Sequence, residues 1–453
     1  MTQSFATKAA FRFGYGFATG ERDLAGIEQI LQQVQGPDLG AATYAGLSLE
    51  DRLAEMQTFR ELRNIMKSGD TSVKTEYRAA IKKRNWMRGD DMRHLFQRAM
   101  MNNQGFRERL AFFWSDHFTI IPKGLNANAL WGNYLEQAIR PHITGSFGDL
   151  LVSAVTHPSM LLYLDQVGST GPNSKVGKRK KLGLNENLAR EVLELHTMGV
   201  DGAYKQSDVR QFAELLTGLD FNRNGPHFNK NKAEPGAETV LGKTYGGDPA
   251  KQADIELFLR DVARHPDTAH NVARKLATHF VSDTPDEQLV AHVAQTFSQT
   301  DGDLLRVYWA LLEHPSSWGD LGQKAKQPFD FMVSSYRALG VSSEAFIKPP
   351  NGQIAKQLSQ PIQFMGQPLR TAPGPNGWPE EAEAWITPQG LAGRLQWALT
   401  SAIRWGEDTD PRQFIQTSLR ELAGQTLQFA VSGAERREEG LTLVLASPEF
   451  NRR

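Results

Sequence analysis

Apolar residues recur along most of this chain at intervals of three and four, and almost nowhere do they alternate. That spacing puts one apolar stripe on each of many helices. It predicts helices at about 21–35, 48–66, 72–85, 91–116 with a break near Asn102-Asn-Gln-Gly105, 128–140, 147–155 and 206–219. More follow at 251–265, 267–281, 286–299, 303–313, 326–339, 390–404, 410–430 and 434–446. His157-Pro, His265-Pro, His314-Pro and Ser447-Pro fall at helix starts, as a capping residue followed by proline in the first turn. Only Thr239-Val-Leu reads as strand. Strands and helices never alternate as parallel sheets require, so the expected fold class is all-α with at most a minor β-hairpin. Length alone suggests two or three domains. The helical run instead reads as one large domain over 1–453, with a basic Gly/Ser loop at 166–183 and irregular excursions at 222–247 and 348–389. Trp378 and Trp385 are expected to anchor the second excursion.

Composition removes several function classes. Basic and acidic residues number 51 each, so no global charge points to nucleic acid or an anionic membrane. With no cysteine there are no disulfides, thiolate metal sites or cysteine nucleophiles, and the chain suits an oxidising compartment as well as a reducing one. The first residues lack the apolar core of a signal peptide, which places the expected compartment in the cytoplasm. No apolar run approaches the ~20 residues of a membrane span. Walker, Gly-x-Ser-x-Gly and His-Glu-x-x-His signatures are absent, which disfavours the chemistries they mark.

The densest polar stretch is Leu184-Asn-Glu-Asn-Leu-Ala-Arg-Glu-Val-Leu-Glu-Leu-His-Thr-Met-Gly199. Asn185 suits an N-cap, Glu186 a first turn and Gly199 a C-terminal stop. Leu184, Leu188, Val192 and Leu195 form the buried stripe. Asn187, Glu191 and Glu194 lie within roughly 60° of one another on a regular helix. Glu191 and Glu194 could therefore hold a divalent metal ion. The competing reading is a Glu186–Arg190–Glu194 ladder of ion pairs. His196 stands roughly 200° from Glu194. It would thus join His117 or Asp165 from elsewhere in the fold, or serve as a core histidine. Asp116-His117 ends an aromatic-rich helix, where the dipole favours a protonated histidine, with function and capping both open. Asp91-x-x-His94 has the spacing of a ligand pair and reads as surface. Lys178, Arg179 and Lys181 feed the N-terminus at Asn185 and make an anion site there, or a solvated lysine-rich loop.

Several blocks together resemble the bacterial family called domain of unknown function 1800. They are Phe11-Arg-Phe-Gly-Tyr-Gly, Phe113-Trp-Ser-Asp-His-Phe, His157-Pro-Ser-Met-Leu-Leu-Tyr-Leu-Asp and the stretch from Asn185 to Gly202. Asp208 to Gly218, Ala273-Arg-Lys-Leu-Ala, Thr300-Asp-Gly-Asp-Leu and Ser447-Pro-Glu-Phe extend the resemblance nearly end to end. The resemblance implies a neighbour, since members are often encoded beside an often exported family similar to alkaline phosphatases and sulfatases. It thereby leaves an exported form open. Many members carry a His-Asp pair where this chain has His227-Phe, so no role passes to His227. The expectation is a polar-cleft enzyme performing metal- or anion-assisted hydrolysis or group transfer, with His117, Asp165, Glu191 and His196 as catalytic candidates. The alternative is a non-catalytic scaffold or chaperone for the phosphatase-like partner.

Overall fold

The computed structural model describes residues 3–222, 224–347 and 349–453, and the side chains at 125, 126 and 351 fall outside the description. Residues 223 and 348, each inside a predicted excursion, therefore lie outside the described residues. Helices dominate, and strand is confined to two antiparallel hairpins, Leu219–Asn222 with Gly225–Phe228 and Gly236–Val240 with Lys243–Gly247. The expected strand at Thr239 belongs to the second hairpin, turned by Leu241-Gly242 with both residues at positive φ. Two-residue hairpin turns favour that conformation. The first hairpin was not legible from period-2 alternation because its strands are only four residues long.

Histidine-proline punctuation works as read. His157, His265 and His314 are N-caps whose Nδ1 atoms accept from Ser159, Asp267 and Ser316 amides, and Ser447 Oγ does the same for Phe450. Each satisfies an amide the helix leaves open, while the proline at the first helical position has none to satisfy.

Apolar packing centres on helices Gly105–His117, Pro266–Phe280, Leu304–Glu313 and Pro328–Ala338. Phe13, Phe106 and Phe280 meet edge-on or stacked at centroid distances of 5.5–5.9 Å. Trp114 Nε1 donates to Tyr308 Oη at 2.6 Å, and the Tyr308 hydroxyl donates in turn to the Ile143 carbonyl at 2.9 Å. Both buried polar atoms are thereby satisfied. No helix among the described residues is long and apolar enough to cross a membrane.

Boundaries differ from expectation in informative places. The predicted segments at 72–85 and from 91 onward are one helix, Lys74–Ala99. The Gly/Ser stretch 166–183 holds a short helix, Lys175–Lys180, because Ser174 Oγ caps the Gly177 amide. A Cβ at Gly177 would stand 2.2 Å from the Gly171 carbonyl, so this glycine serves close packing. Within 349–389, helix Asn351–Ile354 runs through a π turn, Ala355–Ser359, into Gln360–Phe364. Trp378 and Trp385 do anchor the rest, ring centres 6.0 Å apart. Helix 410–430 is split by a 3₁₀ turn into Pro411–Ser418 and Gln425–Ser432. Asp91 is not a surface residue: it is buried and paired with Arg52 at 2.5 Å.

The stretch at 184–199 is not one regular helix. Asn187–Glu191 passes into a π turn, Val192–His196, and ends before Gly199, which sits at φ +88°. A π turn admits one extra residue and slips the face that follows it. Leu188, Val192, Leu193 and His196 are therefore buried, while Leu195 is only half-buried. Leu188→Ala should destabilise by about 2–5 kcal/mol. Leu195→Ala should cost clearly less, because less surface leaves water at that position. Urea unfolding of both variants checks the order; equal costs would mean the π turn has not moved the stripe.

Candidate functional site

The candidates named from sequence divide into two groups. On the outer side of the central helix, Arg190 reaches Glu194 at 3.1 Å and Glu186 at 3.5 Å, the ladder of ion pairs. Glu191 is half-buried, and burial, then the charge of Glu194, raises its carboxyl pKa. Burial and Glu191 together push the nearby Tyr163 hydroxyl up to about 12. Asp165 is 63 % exposed, at positive φ, with Lys123 at 3.9 Å. Lys178, Arg179 and Lys181 are exposed on and just after the short basic helix. Asn185 Oδ1 accepts from the Asn187 amide at 2.9 Å, so that first-turn donor already has a partner. Glu194 is committed to Arg190, and among the described residues no group of three or more His, Asp and Glu side chains is placed to hold a metal ion. Of the two carboxylates read as metal ligands, Glu194 is thus taken up by an ion pair, and no third carboxylate or histidine joins them among the described residues.

On the inner side, His117 and His196 come together. His117 Nε2–H donates to the His196 carbonyl at 3.1 Å, and the two ring centres are 6.1 Å apart. That bond leaves Nδ1 of His117 as an unpaired acceptor, and Nδ1 of His196 is unpaired as well. Both rings are buried. Burial first, then the charge of Lys275, lowers His196 to about 3 and His117 well below its ordinary value. His117 is therefore neutral, against the expectation from its place at a helix C-terminus: desolvation outweighs the dipole.

Two more residues join them, Lys275, which the sequence did not single out, and Asp116, named there with His117. Lys275, on helix Pro266–Phe280, donates to the Leu195 carbonyl at 2.8 Å, and burial pulls its ammonium down to about 8. Asp116, next to His117, accepts the Trp378 amide, 3.1 Å from each carboxylate oxygen, and the Thr119 hydroxyl at 3.4 Å. Burial raises the Asp116 carboxyl to about 8, aided by Glu380 and opposed by the Trp378 amide, Lys275 and Thr119. Gly377 is required for that approach. Its φ is +79°, and a Cβ there would lie 2.7 Å from the Asp116 carboxylate.

Asp116 opens onto a narrow cleft of about 40 Å³, walled by Phe112, Ser115, Trp131, Tyr134, Leu369 and Trp378. Its chemistry is that of a protonated carboxyl on an aromatic floor, with a cation nearby whose charge is also unsettled near neutral pH. Such convergence of perturbed groups on a cleft is how acid–base sites are built. Lys275 lies in the Ala273–Ala277 block and Trp378 in the proline-rich loop, both visible in sequence; their meeting is a property of the fold.

A family model described as protein of unknown function (DUF1800) matches residues 8–452. The chain belongs to the DUF1800 family. Every element of the cleft falls inside the stretch shared with the DUF1800 model. No match is found among the curated proteins or the solved structures.

The raised Asp116 pKa has a signed consequence. A carboxyl that titrates near 8 when folded and near 3.8 when unfolded holds its proton more tightly in the folded state. Its contribution is fully present below about pH 4 and is lost as pH rises through about 8. Lys275, lowered from 10.5 to about 8, does the reverse: its contribution is present above 10.5 and lost as pH falls through about 8. Asp116→Asn should therefore gain on the parent protein by several degrees of Tm between pH 4 and 8. Thermal melts across that range test this, and parallel curves would contradict it.

Proposed function

We propose that this DUF1800 protein is an enzyme of hydrolysis or group transfer in which Asp116 is the proton donor. One observation carries the reading: a carboxyl that keeps its proton to about pH 8 is set in the wall of an aromatic-lined cleft, within the field of the half-buried Lys275. A general acid is most effective when its pKa lies near the working pH. Here a substrate's leaving oxygen would take the Asp116 proton, and Lys275 would stabilise the carboxylate left behind. The neutral pair His117–His196 fixes the end of the helix that presents Asp116 and supports the π turn that presents the Leu195 carbonyl to Lys275. His117 and His196 thus act here as positioning residues, and Glu191 with Asp165 bounds a separate outer face. The scheme uses no metal, and of the two carboxylates proposed for one, Glu194 is held by Arg190.

A second reading has its own support. Leu391, Leu395, Leu399 and Ile403 make an exposed apolar stripe at four-residue intervals on helix Pro388–Trp405, with Leu395 and Ile403 more than half exposed. Such stripes suit contact with another protein. The scaffold reading assigns that contact to the phosphatase- or sulfatase-like neighbour.

The two part company in one assay. Purified protein is offered chromogenic phosphate, sulfate and carboxylate esters, with Asp116→Asn in parallel. The enzyme reading expects turnover that falls as pH rises through about 8 and drops about 10²–10⁴-fold in Asp116→Asn. Turnover that survives the substitution removes Asp116 from the chemistry. Absence of turnover on every ester, with the partner captured through the apolar stripe, decides for the scaffold.

A further inference from the structure

A second groove of about 490 Å³ opens between helix Lys74–Ala99 and the segment 352–371. Arg88, Gln363 and Arg370 line it together with Met92, Ile362 and Leu369, and no acidic side chain does so among the described residues. Leu369 also lines the Asp116 cleft, and Arg370 lies over the ring of Trp131 at 4.8 Å, so this wall divides the two spaces.

Charge counting makes Arg370 unusual. Asp91 is the carboxylate nearest to it, yet Asp91 is already bound by both terminal nitrogens of Arg52, at 2.5 and 3.3 Å. Arg370 stands 3.9 Å away, too far for a hydrogen bond. Its Nη2 donates to the backbone and side-chain oxygens of Asn128, both at 2.9 Å, while Nε and Nη1 have no hydrogen-bond partner. Two buried guanidinium groups thus share one carboxylate, and Arg88 adds a third cation, exposed at the groove's edge. Burial lowers the Arg370 pKa to about 10 against the pull of Asp91, and the charges of Arg88 and Arg52 add to the fall. A buried cation in deficit of anions gains most from an oxyanion, which guanidinium groups bind through short, charge-assisted hydrogen bonds.

We infer that this groove binds an oxyanion carried on an apolar body, the anion between Arg88 and Arg370 and the body against Met92, Ile362 and Leu369. The head group can be a phosphate or a carboxylate. The site is independent of the acid–base reading of Asp116.

Titration calorimetry on the full chain tests it with hexyl phosphate, hexanoate, hexanol and inorganic phosphate. At least one of the two charged amphiphiles should bind about tenfold or more tighter than hexanol and than inorganic phosphate; which one does so names the head group. Arg88→Ala, a change at an exposed side chain, should weaken that anion about tenfold and leave hexanol unchanged. Arg370→Lys keeps the charge but loses the planar fork, and should weaken it as well. Asp116→Asn should leave the affinity unaltered, so failure of the cleft reading and failure here remain distinct. Hexanol binding as tightly as the anions, anion affinity indifferent to Arg88→Ala, or no saturable binding of any probe at millimolar concentration would each overturn the assignment.

Discussion

A buried ionic network ties together parts of the chain that are hundreds of residues apart. Asp330 binds Arg109 at 2.9 Å and Arg453 at 3.0 Å. Arg109 reaches His279 Nε2 at 3.1 Å, and His279 Nδ1–H meets Glu380 at 2.6 Å. Glu380 and Asp283 then share Lys324, at 2.8 and 2.6 Å. Removing charges from water is costly, and each member repays the cost only while its partner stays in place. The helices at 105–117, 266–280 and 328–338 and the loop at 377–380 are therefore fixed relative to one another by charge as well as by apolar packing.

The cleft inherits that rigidity. Asp116 lies seven residues, about two turns, beyond Arg109 on the same helix. Lys275 lies one turn before His279, and Trp378 stands two residues before Glu380. The elements that carry Asp116, Lys275 and Trp378 thus each also carry a residue of the network. A protonated carboxyl in an aromatic wall is useful only if the wall does not relax to rehydrate it, and a shared ionic frame prevents that relaxation. Substitutions in the network should accordingly disturb the cleft at a distance, through the helices common to both.

What the sequence could reveal follows from which of these features are local. Helix spacing and histidine-proline capping are decided within a few residues, so they were legible, as was the anchoring of the proline-rich loop by Trp378 and Trp385. The π turn at Val192–His196 was not, because nothing in a 3.6-residue pattern announces one extra residue. It is this turn that buries His196 and leaves Leu195 half-exposed. His117 and His196 were recognisable as polar residues in apolar blocks, and the fold does bring them together, while Asp165 and Glu191 stay on the outer face. Lys275 and Glu380 carry no local signal, because their importance comes from neighbours far away in sequence. Asp116 stands in the sequence only as the neighbour of His117, since the Trp378 amide that meets it lies more than 250 residues later.

Two carboxyls near this centre show why burial alone does not mark a chemical group. Burial raises the pKa of both. Glu380 nevertheless ends at about 2, because His279 and Lys324 touch it and outweigh desolvation. Asp116 ends at about 8, because what touches it is a backbone amide and a hydroxyl, while Lys275 acts only from a distance. The first carboxyl is held ionised by its partners and is thereby fixed as structure. The second keeps a proton that it can give up at moderate pH. The number of cations within hydrogen-bond reach separates the two, and it falls where the protein opens from its sealed network into the aromatic cleft.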